Sequence, residues 1–263
     1  MQLCLQTHRI PLPYYKPLLS PPVRAARRVW QSIAYRGKGV ACPICDRQFS
    51  RYVAGDTGLC PGCRCNNRSR LLWTYLREQR PDLLTGSKAI LQFAPDPGME
   101  RLLRKHPGIR YLSGDLYEPG VMVRLDLTHL DLPDECFDVV ICIHVLAHIS
   151  NDKKAMREIL RVLRPGGLTL IMTPLDSNLE KTHEDPCIID PGERDRVYGE
   201  WDFVRMYGRD FVERLERQGF AVEVVRPVES MDGSFRQKYG LWNEPLYLCR
   251  RPEEPAIGPD RGR

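Results

Sequence analysis

Cys42-Pro-Ile-Cys45 and Cys60-Pro-Gly-Cys63 are two C-x-x-C knuckles separated by fourteen residues. Each knuckle turn points two sulfurs at one centre, and the intervening hairpin brings the pairs together, so Cys42, Cys45, Cys60 and Cys63 can close a tetrahedral Zn²⁺ site. Four protein ligands leave no open position. The ion is therefore expected to be structural, stabilising a ribbon too small to bury a core of its own. The redox alternative needs a thioredoxin-like βαβ context, which does not surround these residues. Cys65 reads as a spare thiol outside the ligand set.

At 263 residues the chain can hold one substantial α/β core and a small appendage. No apolar run approaches the roughly 18–20 residues that cross a bilayer, so a membrane protein is not expected. Residues 3–10 are interrupted by Gln6, His8 and Arg9 before they could form the apolar part of a secretory signal. A reducing, cytoplasmic setting follows, in which the ten cysteines are thiols or metal ligands rather than a disulfide framework. An organelle transit peptide is the alternative for the basic start, but Pro11, Pro13, Pro17, Pro21 and Pro22 suit an amphipathic helix poorly.

The net charge of +5 is unevenly spread. Residues 1–41 carry seven Lys or Arg and no acid, residues 42–80 net +4, and residues 81–263 net −6. An acidic body argues against extensive phosphate contact. The chain divides into a basic Pro/Arg-rich extension (1–40) with a short helix near 23–35, the zinc ribbon (41–66), a linking helix (67–86), a main domain (87–251) and a disordered tail (252–263).

In the main domain, short apolar runs at 89–93, 109–112, 121–125, 139–143 and 168–172 alternate with amphipathic stretches. Between the last two, Ala155, Met156, Ile159, Leu160 and Leu163 share one helical face, with Gly166-Gly167 placed to end the helix. This is the βαβ rhythm of a doubly wound, mostly parallel sheet. A polar insertion at 174–208, a helix at 209–218 and two strands near 222–225 and 245–249 complete the pattern.

The string Phe137-Asp138-Val139-Val140-Ile141-Cys142-Ile143-His144, followed by Glu158-Ile159-Leu160-Arg161-Val162-Leu163-Arg164-Pro165-Gly166-Gly167, resembles the class I S-adenosylmethionine-dependent methyltransferases. The likeness runs from about residue 88 to 218. With the cysteine knot and the Arg70-Leu71-Leu72-Trp73 helix, the layout is similar to a bacterial zinc-ribbon group of that family, close to methyltransferase type 11. The resemblance implies a Rossmann-like α/β fold with a seven-stranded sheet. It also implies S-adenosyl-L-methionine bound beyond the carboxyl ends of the strands. Phe93, Ala94 and Pro95 fall in the first such loop, which lacks the family's glycine-rich pattern. Asp115 with Leu116 matches the acidic position that accepts the ribose hydroxyls, Asp126 with Leu127 the pair beside the adenine, and Ile143 with His144 the meeting point of cofactor and substrate. The duller alternative is that Asp115 and Asp126 simply cap turns and that His144 and His148 are structural.

Methyl transfer is an in-line displacement, so the protein mainly holds a nucleophile near the sulfonium methyl; a base is needed for a protonated acceptor and not for a carboxylate. The 174–208 insertion stands where the family builds a substrate lid. It supplies His183, Asp202 and Arg205, followed by Tyr207, as candidate catalytic residues, with Arg205 gripping an acidic group of the acceptor or forming a salt bridge instead. Phe203 occupies a position where the resembled group has histidine. The expected activity is O-methylation of a small molecule at a carboxylate or hydroxyl. An RNA methyltransferase using Arg64, Arg68 and Arg70 beside the knot is one alternative, and a non-catalytic scaffold with a degenerate first loop is another.

Overall fold

A computed structural model describes residues 21–53, 58–118 and 120–253, without the side chains of Pro21 and Arg24. The first half of the basic extension and most of the 252–263 tail lie outside the described residues.

Helix α1 (Pro21–Ala34) leads into an antiparallel pair, β1 (Arg36–Cys42) and β2 (Arg47–Phe49), in register Cys42↔Arg47. Asn66 then starts α2 (Asn67–Glu78), its side chain accepting from the Ser69 N–H, a cap that satisfies one of the helix's orphan donors. The seven-stranded sheet that follows comprises β3 (Lys88–Phe93), β4 (Ile109–Asp115), β5 (Val123–Arg124), β6 (Phe137–Ile143), β7 (Leu163–Met172), β8 (Ala221–Val225) and β9 (Leu246–Arg250). Its order is β5-β4-β3-β6-β7-β9-β8, with the first five strands parallel and β9 antiparallel to both neighbours. Helices α3 (Pro97–Arg104) and α4 (Asp152–Val162) make crossovers. The remaining helices, α5 (Pro191–Tyr198), α6 (Phe211–Glu216) and α7 (Gly233–Tyr239), lie in the later connections.

Two-residue alternation divides the central strands between two apolar clusters. Ile90, Val139, Ile141, Leu168 and Leu170 pack with Leu71, Leu72 and Trp73 of α2 and with Cys42, Cys60 and Cys63. Ala89, Leu91, Phe93, Val140 and Cys142 pack with Ala155, Met156 and Ile159 of α4 and with Tyr198, Tyr207 and Phe211. The cysteine knot thus shares a core with one face of the sheet.

Several boundaries differ from those the apolar pattern suggests. β4 runs on to Asp115, β5 shrinks to two residues, and α6 is shorter at both ends than 209–218. Gly166 and Gly167 do not end α4, which stops at Val162; they sit inside β7, where Gly166 has φ +73° and its N–H donates to the Arg251 carbonyl at 3.0 Å. A Cβ on Gly167 would meet the Arg164 carbonyl oxygen at 2.8 Å, so the pair permits a tight bend within the strand. Among the described residues no helix is long and apolar enough to cross a membrane.

Candidate active site

β3 and β6 are adjacent parallel strands, paired Phe93↔Cys142, and the chain leaves them toward opposite sides of the sheet. The crevice beyond their carboxyl ends is the switch point at which open α/β sheets bind ligands. Both exits are strained: Ala94 has φ +45° and His144 φ +55°, left-handed values for residues that carry a Cβ. Each conformation costs on the order of 1 kcal/mol or more and is held by a sheet hydrogen bond. Ala94 N–H donates to the Gly114 carbonyl at 3.0 Å and His144 N–H to the Met172 carbonyl at 2.8 Å.

The loop after β3 is organised by an aspartate in place of a glycine-rich turn. Asp96 caps α3, its Oδ1 accepting from Gly98 N–H at 3.1 Å and Met99 N–H at 2.9 Å. Its Oδ2 accepts from Asn66 N–H at 3.2 Å, which ties the loop to the start of α2. A Cβ on Gly98 would lie 3.0 Å from the Cys63 sulfur, so α3 begins directly against the second knuckle. Desolvation there raises the Asp96 carboxyl above its ordinary value despite these donors. Phe93 is buried, Pro95 half-buried and Ala94 exposed.

Asp115 ends β4 and does cap a turn, Oδ1 accepting from Tyr117 N–H at 2.7 Å and Glu118 N–H at 2.8 Å. The turn uses Oδ1 alone. Asp126 is exposed, its Oδ1 accepting from the N–H and hydroxyl of Thr128, both at 2.8 Å. Leu116 is half-buried and Leu127 buried. Ile143, half-buried, delivers the chain to His144, whose Nε2 contacts the Glu244 carboxylate. Glu244 also lies 3.6 Å from Arg68 Nε. Burial pushes the His144 imidazole below its ordinary pKa, against the opposing pull of Glu244. Asn67 Oδ1 and Arg68 Nε, in the first turn of α2, are buried with no hydrogen-bond partner among the described residues.

The lid residues take other positions than their sequence suggests. Arg205, which reads as a substrate anchor, is 2% exposed and fully engaged. It donates to the carbonyls of Leu146, Ile149 and Ser150 and to Glu184, so it holds the exit loop of β6 and has no free face for an acceptor. Tyr207 is fully buried, its hydroxyl donating to Asp152 at 2.8 Å, and so is removed from substrate contact. Asp202 lies 3.3 Å from His148, whose ring meets Phe203 edge-on. His183 is held by a backbone bridge to Met206 and an edge contact with Tyr198 at 5.6 Å. Glu244, Asp96 and Asp152 have no sequence signal beyond being acidic residues in loops or at a helix start.

The arginines beside the knot face inward. Arg70, 1% exposed, lies over the Tyr52 ring and donates to the carbonyls of Gly58, Tyr239 and Gly240. Arg64 donates to Gln31 and Arg68 faces Glu244.

The Cys42, Cys45, Cys60 and Cys63 sulfurs all lie within 4.8 Å of one another, an arrangement that could hold a metal ion. Cys42–Cys63 at 3.6 Å and Cys45–Cys60 at 3.7 Å fit the separation of about 3.8 Å that tetrahedral bonds of about 2.3 Å require. Cys65 is not set apart: its sulfur is 3.2 Å from that of Cys63 and 3.4 Å from that of Cys42.

Residues 86–171 match the methyltransferase domain family. That match falls on the parallel part of the seven-stranded α/β sheet, from β3 into β7. A probable S-adenosylmethionine-dependent methyltransferase of Mycolicibacterium smegmatis is 32% identical over 105 residues, covering 38% of this chain and 37% of that one. The sterol 24-C-methyltransferase of Yarrowia lipolytica is 30% identical over 142 residues, covering 52% and 35%. The chain thus spans just over a third of the length of these relatives. An S-adenosylmethionine-dependent methyltransferase structure from Mesorhizobium loti superposes with a TM-score of 0.45 at 19% identity, covering 69% of this chain and 98% of that one.

Proposed function

We propose that this chain is an S-adenosylmethionine-dependent methyltransferase acting on an oxygen of a small molecule, with a structural zinc ion in its ribbon. The supporting observation is the crevice between β3 and β6, with its two left-handed exits lying within a segment that matches the methyltransferase family.

The surrounding residues suit the cofactor's chemistry. Asp115 keeps one carboxylate oxygen outside its turn for ribose hydroxyls, and Asp126, with Leu127, stands at the next strand exit for the adenine. Arg68 Nε, which pairs with Glu244 at 3.6 Å but makes no hydrogen bond, can donate to an amino-acid carboxylate, and the unpartnered Asn67 Oδ1 can accept from an ammonium group. When bound, the cofactor supplies an electrophilic methyl group; the protein orients the acceptor and excludes water. The acidic 81–263 body favours a small acceptor over RNA, because it carries no surplus of cations for phosphates. The four thiolates suit zinc, whose closed S₄ coordination would brace the wall of the crevice.

Calorimetric titration of the zinc-loaded protein with S-adenosylhomocysteine tests the reading. Micromolar binding is expected, weakened about tenfold in Asp115→Asn, which keeps the turn acceptor but loses the carboxylate charge. A folded, metal-loaded protein that does not bind would leave the scaffold reading in its place.

A further inference from the structure

Resting on the methyltransferase reading, we infer that His144 is the general base of the reaction, that Glu244 is its positioning residue, and that the acceptor is therefore a hydroxyl rather than a carboxylate. The juxtaposition is tertiary: His144 follows β6, Glu244 sits a hundred residues later in the loop before β9, and Arg68 belongs to α2.

The His144–Glu244 contact fixes the ring. A carboxylate has only acceptor oxygens, so the nitrogen facing it, Nε2, must carry a proton. In the neutral imidazole the lone pair is then on Nδ1, which has no hydrogen-bond partner among the described residues. Burial lowers the His144 pKa, which favours the neutral ring that a base must present before transfer. Arg68 Nε, 3.6 Å from Glu244, holds the other side of that carboxylate. His144, with φ +55°, turns the chain out of β6 at the switch point.

The proton and electron count closes without a further reagent. The hydroxyl oxygen forms a bond to the methyl carbon of a sulfonium donor, the S–CH₃ electron pair returns to sulfur to give a neutral thioether, and the hydroxyl proton passes to Nδ1 of His144. The resulting imidazolium is stabilised by Glu244 through Nε2–H. A carboxylate acceptor, already deprotonated, would leave this apparatus without a task. With Arg205 and Tyr207 buried and engaged, the crevice also lacks the anchor that an acidic acceptor was expected to find in the lid.

Long-range ¹⁵N spectra of histidine-labelled protein, with His144 assigned by loss of its signals in His144→Asn, test the assignment without any knowledge of the acceptor. The wild type is expected to show His144 neutral at pH 7.5 with Nε2 protonated, and Glu244→Gln to lower its pKa by removing the carboxylate that stabilises imidazolium. An Nδ1-protonated ring, or a pKa unmoved in Glu244→Gln, overturns the proposal. In parallel, thioether release from S-adenosylmethionine is followed with simple phenols and with aliphatic carboxylic acids. Turnover of a phenol that falls about a hundredfold in His144→Asn supports the base; turnover of an acid, or a rate indifferent to the substitution, overturns it. If neither class turns over, the tautomer still decides. S-adenosylhomocysteine binding by the wild type separates the two levels: binding with the wrong tautomer removes only the base, whereas no binding removes the methyltransferase reading as well.

Discussion

At Asp152 a single side chain joins the lid to the core. It is 1% exposed and accepts from Tyr207 at 2.8 Å and from Arg214 at 2.6 and 2.7 Å, with Arg205 at 3.9 Å. Burial alone would raise its pKa, but the Arg214 hydrogen bond and the charges of Arg205 and Arg214 outweigh it and the carboxyl sits below its ordinary value of 3.8. A depressed folded-state pKa means that this group contributes stability above the unfolded value and loses it as the pH falls through the folded one. Asp152→Ala leaves two buried guanidiniums short of a counter-charge and is expected to cost about 3–5 kcal/mol in urea unfolding at neutral pH. Relative to wild type, Asp152→Asn is expected to lose part of the acid-side decline below about pH 4. Parallel pH profiles for the two proteins would mean that the carboxylate charge does not couple to folding. Nothing in the sequence around Asp152 marks it as a hub. It reads as a helix-start aspartate, and its partners come from residues 205–214, brought to it by the lid fold.

At the scale of elements, the ribbon and α2 are more than an attachment. The second knuckle touches Gly98, Asn66 N–H donates to Asp96, and Arg68 meets the Glu244 carboxylate that contacts His144. Removing the zinc proposed for the ribbon should therefore loosen the loop after β3 as well as the knot, since four thiols packed without a cation lose their common centre. Treatment with a strong chelator under reducing conditions is expected to lower the melting temperature and to weaken S-adenosylhomocysteine binding together, both recovering when zinc is restored. A chelated protein that keeps its affinity would show the ribbon to be a passenger. The knuckles were readable because metal spacing is local in sequence. The docking was not, because it depends on Asp96, which reads as a poor substitute for glycine until its three backbone donors are seen.

For the whole molecule, charge and shape point the same way. Residues 81–263 net −6, and Arg64 and Arg70 beside the knot bond to the protein itself. In about 0.15 M salt, filter binding with mixed RNA is expected to show no saturable retention. Tight retention that declines steeply with salt would restore the nucleic-acid reading.

The sequence by itself determined the alternation of strands and helices, the strand-end positions of Asp115 and His144, and the paired knuckles. These are set by periodicity and short spacing, which a chain carries locally. Only the tertiary structure decided that Arg205 and Tyr207 are buried braces, that Cys65 joins the sulfur cluster, and that Glu244 meets His144. Those outcomes depend on which side chains folding brings together across scores of residues. A buried charge or imidazole takes its role from the partners it finds there.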